Sequence, residues 1–178
     1  MYVWIGINVN DQLLALRKEA KNIEDSIGFS TSCYTLPYHI SLKISFAVDD
    51  NLYSSVVDDI LTYYKKIKPF EIYIKGIENE QTISWIRMQD NDKLNQIHDD
   101  LNLLLLNKYG VPYHEYDLDY KFHTTLFMDS DSEKVMVAYN QIKEMELPSR
   151  LLVNKMLIGA SKTGALGSFS VTHEVEIK

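Results

Sequence analysis

Two histidines in this chain each stand two residues ahead of a hydroxyl, in Tyr38-His39-Ile40-Ser41-Leu42 and in Phe122-His123-Thr124-Thr125-Leu126. Imidazole changes protonation near neutral pH, so a pair of imidazoles can take a proton from one oxygen while giving one to another. A hydroxyl adds a hydrogen-bond donor that can hold an anionic oxygen in place while those protons move. Residues two apart on a strand share a face. His39, Ser41, Lys43 and Ser45 are therefore expected on one side of the first run, and Lys121, His123 and Thr125 on one side of the second. Lys43 and Lys121 would then be candidates to bring positive charge to a phosphate.

Either tripeptide alone reads as an ordinary strand histidine with a hydroxyl nearby. The context is what repeats. Each run is followed by an Asp-containing turn (Asp49-Asp50-Asn51; Asp129-Ser130-Asp131-Ser132), a helical stretch, a proline (Pro69; Pro148) and two more strand-like runs. Two equivalent strands related by a pseudo-two-fold axis are the expectation, with repeat units at about 38–88 and 121–177 of a single 1–178 domain.

In these residues the chain resembles the 2H phosphoesterase superfamily, the group of 2′-5′ RNA ligase-like proteins and cyclic phosphodiesterases with two His-x-Ser/Thr motifs in tandem lobes. The resemblance covers nearly the whole chain in order of elements, and its specific residues are His39, Ser41, His123 and Thr125. Ser41 stands where threonine is more usual in the family, and Thr124 where an apolar residue is more usual. The resemblance implies an α+β fold of two pseudo-symmetric lobes, each an antiparallel sheet with flanking helices, around a central cleft. It implies His39 and His123 as catalytic residues, Ser41 and Thr125 as substrate-binding residues, and no metal or cofactor. The reaction implied is opening of a 2′,3′-cyclic phosphate of a nucleotide or RNA end to a 2′-phosphate, with 2′-5′ RNA ligation as its reverse. An RNA-end-trimming exonuclease using the same dyad, or a non-catalytic nucleotide-binding module, are the alternatives.

Length and charge bound these readings. At 178 residues the chain can bury a sizeable core, and 46% hydrophobic with 24% charged residues is ordinary for a globular protein. The net charge of −7 argues against a broad grip on duplex nucleic acid, which needs several phosphates neutralised at once. A small nucleotide or an RNA end remains open as substrate, with duplex DNA and membranes set aside and a monomer expected. The single Cys33 leaves no intramolecular disulfide and no multi-cysteine metal site. The short apolar run after Met1 and the lack of any long apolar segment point to a cytoplasmic protein.

Periodicity places the elements. Residues 2–9 alternate as a strand, Asn10 or Asp11 is expected to cap a helix over 11–27, and strand 38–46 carries the first motif. Helical spacing follows over 51–66, then a hairpin of 70–77 with 82–88, and a strong helix over 91–108 ended by Gly110. Strand 121–128 carries the second motif, helix 132–146 follows, and 150–160 with 168–177 is expected as a closing hairpin. His173 falls among apolar residues of that last strand, and His98 on a solvated helix face. A metal cluster of His98, His114, Asp117 and Asp119 is imaginable, though no recognised ligand spacing supports it. Tyr34, Tyr38, Tyr113, Tyr116, Trp4 and Trp85 offer faces on which a base could stack.

Overall fold

The computed structural model describes residues 1–30 and 34–178; Cys33 lies outside the described residues. Among the described residues, eight strands and four helices follow in the order β1 (Tyr2–Asn8), α1 (Leu14–Ile27), β2 (His39–Ala47), α2 (Tyr53–Tyr64), β3 (Phe70–Glu80), β4 (Ile83–Met88), α3 (Asp92–Tyr109), β5 (His123–Met128), α4 (Ser132–Ile142), β6 (Arg150–Val153), β7 (Lys155–Ser161) and β8 (Ser170–Glu176). Short 3₁₀ turns at Asn10–Leu13 and Glu115–Asp119 precede α1 and β5. No described helix is long and apolar enough to cross a membrane.

The strands form two four-stranded antiparallel sheets, β2-β1-β7-β8 and β5-β4-β3-β6. Each motif strand is therefore the edge strand of its sheet, and the two edges meet: Thr124 Oγ1 on β5 donates to the His39 carbonyl on β2 at 3.2 Å. Edge strands carry unpaired backbone groups, and here each is covered by its counterpart. The inward faces supply one continuous core, with Val3, Ile5 and Ile7 of β1 and Ile40 and Leu42 of β2 fully buried alongside Ile60, Ile86, Leu101, Leu126 and Ile158.

The sheets do not coincide with the sequence units. After β2 in the first sheet, α2 leads to the β3–β4 hairpin in the second; after β5 in the second sheet, α4 leads on to β7 and β8 in the first. The 150–160 run accordingly divides at Asn154. Its first half, β6, pairs with β3 (Ile72 opposite Leu151), and its second half, β7, pairs with β1 (Ile5 opposite Ile158).

Local differences from the sequence expectations have plain causes. Asn10 does not cap α1; its Oδ1 is taken by the Arg17 guanidinium and the Tyr38 amide, and the chain enters the helix through the 3₁₀ turn instead. Glu78, Asn79 and Glu80 are strand residues opposite Trp85, Ser84 and Ile83, because Gln81 at φ 50° makes a tighter turn than a four-residue loop. The Asn91 side chain accepts from the Lys93 and Leu94 amides to start α3, and Gly110, at φ 67°, ends it.

Candidate active site

The two motif strands share one irregularity. Ser41 pairs with Gly6 but Lys43 pairs with Ile5, so Leu42 is an extra residue in β2; Thr125 pairs with Trp85 but Phe127 pairs with Ser84, so Leu126 is an extra residue in β5. A bulge of this kind interrupts alternation. Two consecutive residues turn to the core in each strand, Leu42 with Lys43 and Leu126 with Phe127, and the cleft face resumes at Ile44 and at Met128.

This corrects the expected position of Lys43. It is buried, its ammonium paired with the Asp117 carboxylate and lying 5.9 Å from the Tyr113 ring centroid, away from the histidine face. The same carboxylate accepts from the His114 amide at 2.7 Å and lies 3.4 Å from His98 Nε2, and His98 contacts Asn102 at 3.2 Å. His98 is thus buried, not solvated, with its ring stacked on Tyr120 at 4.7 Å between centroids. Burial pushes the Asp117 carboxyl up, but the bonds from Lys43 and His114 and the nearby charges bring it below the ordinary carboxylate value. His114 caps the 3₁₀ turn through its Nδ1. Among the described residues no three histidine, cysteine or carboxylate side chains gather as a metal-binding group.

His39, Ser41 and Ser45 line one cavity together with Thr125 and Met128 of the other motif strand, and with Trp4, Leu166, Gly167 and Phe169. His123 and Lys121 line a second cavity of about 560 Å³ with Trp85, Glu80, Glu115, Tyr116, Asp119 and Tyr120. Ile44, just past the β2 bulge, is common to both. The structure thus brings His39, Ser41 and Thr125 to one cavity and His123 to the adjoining one, and the charge of His123 acts on His39. Lys121 stays at the mouth, 3.7 Å from Glu80.

Each imidazole is held the same way. His39 Nδ1 lies 2.8 Å from the Pro37 carbonyl and His123 Nδ1 lies 2.6 Å from the Lys121 carbonyl, in both cases two residues upstream. A carbonyl can only accept, so Nδ1 carries the hydrogen and Nε2 is left as the nitrogen that can exchange a proton. Burial lowers the proton affinity of both rings. For His39 the Pro37 bond opposes this, and the charges of His123 and Arg17 add to it. For His123 the Lys121 bond opposes it, Arg87 adds to it and Glu80 works against Arg87.

Several contributors were not picked out from the sequence. In the sequence Trp4 and Trp85 read only as stacking faces for a base, yet each lies against a motif histidine, with ring centroids 4.5 Å from His39 and 4.7 Å from His123. Arg87 is the cross-strand partner of His123, and its Nη1 is buried with no hydrogen-bond partner among the described residues. Alternation along β4, with Ile86 and Met88 buried, was a signal that could have put Trp85 and Arg87 on the histidine side. Tyr120 lines the second cavity, and burial holds its phenol well above the ordinary value. Of the other stacking candidates, Tyr34 and Tyr38 flank the Arg17 guanidinium at 5.6 and 5.3 Å, whereas Tyr116 is 65% exposed at the cavity.

The family model for the 2′-5′ RNA ligase superfamily matches residues 11–162. No curated protein matches the chain. Among solved structures, TT0787 of Thermus thermophilus is similar at a TM-score of 0.66 and 12% identity, covering 99% of this chain and 98% of that one. E. coli LigT complexed with 3′-AMP is similar at a TM-score of 0.60 and 13% identity, covering 99% and 97%. At such identities the likeness establishes the fold. The family match spans most of the chain and takes in both histidine motifs, so this protein belongs to the 2′-5′ RNA ligase superfamily of 2H phosphoesterases.

Proposed function

We propose that the protein is a metal-independent phosphodiesterase that opens a 2′,3′-cyclic phosphate of a nucleotide or RNA end to a 2′-phosphate, with His39 and His123 as proton-transfer residues and Ser41 and Thr125 as phosphate donors. The observation that carries this reading is that residues from both motif strands line one cavity, His39 and Ser41 with Thr125, while His123 lines the cavity that shares Ile44 with it. With both Nδ1 atoms committed to carbonyls, one Nε2 can take the proton of an attacking water while the other protonates the departing ribose oxygen. Hydroxyls of Ser41 and Thr125 would hold the non-bridging oxygens as charge builds in the pentavalent transition state. Carboxylates of Glu80, Glu115 and Asp119 around the second cavity, and the net charge of −7, favour a short substrate over a long RNA. LigT, solved with 3′-AMP, is a relative whose ligand is of that size.

The test is turnover on the four 2′,3′-cyclic nucleotides and on a short RNA ending in a cyclic phosphate, with wild type, His39→Ala and His123→Ala. Each alanine is expected to lower kcat by roughly 10²–10⁴-fold while the protein stays folded. Activity is expected to persist in excess chelator. A folded, fully active alanine variant removes that histidine from the mechanism, and chelator loss reversed by a divalent metal refutes metal independence. Binding of nucleotides without turnover would select the binding-module reading, and stepwise shortening of RNA the exonuclease one.

A further inference from the structure

The chain holds two tryptophans, and both lie against the two motif histidines. They come from equivalent places: Trp4 is on β1, the neighbour of β2, and Trp85 is on β4, the neighbour of β5. The interplanar angles are 32° and 33°, nearly the same tilt in each half.

The protein accommodates the Trp4 ring at some cost. A Cβ at Gly6 would come within 2.6 Å of the ring, and one at Gly159 within 2.0 Å of its Nε1. The indole therefore lies along the sheet face across two positions kept free of side chains, one on β1 itself and one on β7. Its Nε1 is buried with no hydrogen-bond partner among the described residues, whereas tryptophan N–H groups usually find a partner when buried. Trp85 lies beneath His123 with its Nε1 3.5 Å from Glu78.

We propose that Trp4 and Trp85 are the positioning residues of the two imidazoles, each indole giving one ring a floor that, together with the upstream carbonyl on Nδ1, fixes where Nε2 points. The carbonyl bond alone leaves the ring free to tilt about the Nδ1–oxygen axis; a flat surface on one side removes that freedom. Proton transfer depends steeply on such placement, and a displacement of about 1 Å can cost on the order of 100-fold. This inference rests on the proposed two-histidine mechanism. The charged groups that act on these rings are Arg17 and His123 for His39, and Arg87 and Glu80 for His123. None of them is altered by exchanging an indole for a phenyl ring.

Trp4→Phe and Trp85→Phe test it by kinetics and by fluorescence. Each is expected to lower kcat on a 2′,3′-cyclic nucleotide by roughly 10- to 100-fold with KM changed little, because the hydroxyls that hold the phosphate are untouched. A protonated imidazole against an indole quenches its emission, so fluorescence read against pH reports the histidine on that floor. Trp85→Phe leaves Trp4 as the emitter, and its pH step should vanish on adding His39→Gln but survive His123→Gln; Trp4→Phe should show the reverse. Trp4 is only 5% exposed, and should its replacement fail to fold, the wild-type background decides: His39→Gln and His123→Gln should each remove one of two components of the emission titration. The inference is overturned if both phenylalanine variants keep kcat within twofold of wild type, or if the pH steps ignore the histidine replacements. A wild type that turns over no cyclic phosphate refutes the proposed function, while the fluorescence arm still reads the stacking.

Discussion

Replacing Lys43 by methionine separates the two roles this lysine was a candidate for. Its side chain is 2% exposed and that of its partner Asp117 is 0% exposed. Lys43→Met keeps most of the buried stem but leaves Asp117, among the described residues, with the His114 amide and His98 as polar partners. Stranding one member of a buried ion pair costs about 3–5 kcal/mol. For a chain of this length each kcal/mol moves Tm by about 2–4 °C, so a fall of roughly 6–20 °C is expected in thermal denaturation at neutral pH. Adding Asp117→Asn, which removes the stranded charge while keeping an acceptor for His114, should recover a good part of that loss. The pH dependence should change sign as well. In the wild type Asp117 is held below its ordinary value, so its contribution is present above the unfolded carboxyl pKa and is lost as pH falls through the folded one. Without Lys43 the burial that pushes the carboxyl up prevails, and the deficit of Lys43→Met should shrink as pH is lowered toward the carboxylate range. A variant that melts within 2 °C of wild type, or whose deficit grows on acidification, refutes the buried-pair argument. Assayed below its melting range, the variant should keep KM within about twofold; a tenfold rise would return Lys43 to the phosphate site.

The pH–rate profile should be a bell displaced to the acid side of about pH 6.5, because burial lowers both imidazoles and one must be neutral while its partner is charged. The limbs belong to the pair, and removing either histidine should abolish one of them; a flat profile over about pH 5–9 with chemistry rate-limiting excludes the dyad. Depressed folded-state values also mean that the stability these two rings contribute is present above the unfolded histidine pKa and is lost as pH falls through the folded ones, which acid titration of Tm should register. Ser41→Ala and Thr125→Ala should each reduce kcat by about 10²–10³-fold, the effect of deleting one donor to a developing oxyanion, and unchanged rates would remove the hydroxyls from that role.

The sequence reached the cleft face and stopped at the bulge. Alternation correctly grouped His39 with Ser41 and His123 with Thr125, since these precede Leu42 and Leu126 and period two holds up to that point. Beyond it the same rule put Lys43 on the wrong side, while Ser45 does line the cavity because β2 shifts register again between Lys43 and Phe46; nothing local marks the extra residue after Ser41 or Thr125, where neither bulge contains a glycine and both begin at an ordinary leucine. Helical spacing likewise gave α3 an apolar stripe of Leu94, Ile97, Leu101, Leu104 and Leu105, of which all but Leu104 are fully buried, but His98 is buried by a partner, Asp117, that comes from 19 residues further on. Asn154 shows the same limit, because an uninterrupted extended run carries no sign that its halves serve different sheets.

What the repeat preserves explains where reading succeeded. On the cleft side the halves correspond closely: a tryptophan on the neighbouring strand, an imidazole tied to the carbonyl two residues back, a hydroxyl two residues on and a bulge directly after it. Behind the strands they differ. Lys43 reaches a buried carboxylate, while Phe127 at the equivalent position packs 5.7 Å from Phe29. The residues opposite the histidines differ too: Asn8 beside His39 is satisfied by Glu174 and the Asn10 amide, whereas Arg87 beside His123 brings a charge that lowers the proton affinity of that ring. In the proposed mechanism the two imidazoles act on one phosphate as acid and base, and unequal surroundings would add to the bias that substrate orientation sets between them. Under the proposed mechanism, a difference between acid and base would come from such neighbours, Arg17 near His39 and Arg87 with Glu80 near His123, outside the motifs that reveal the family.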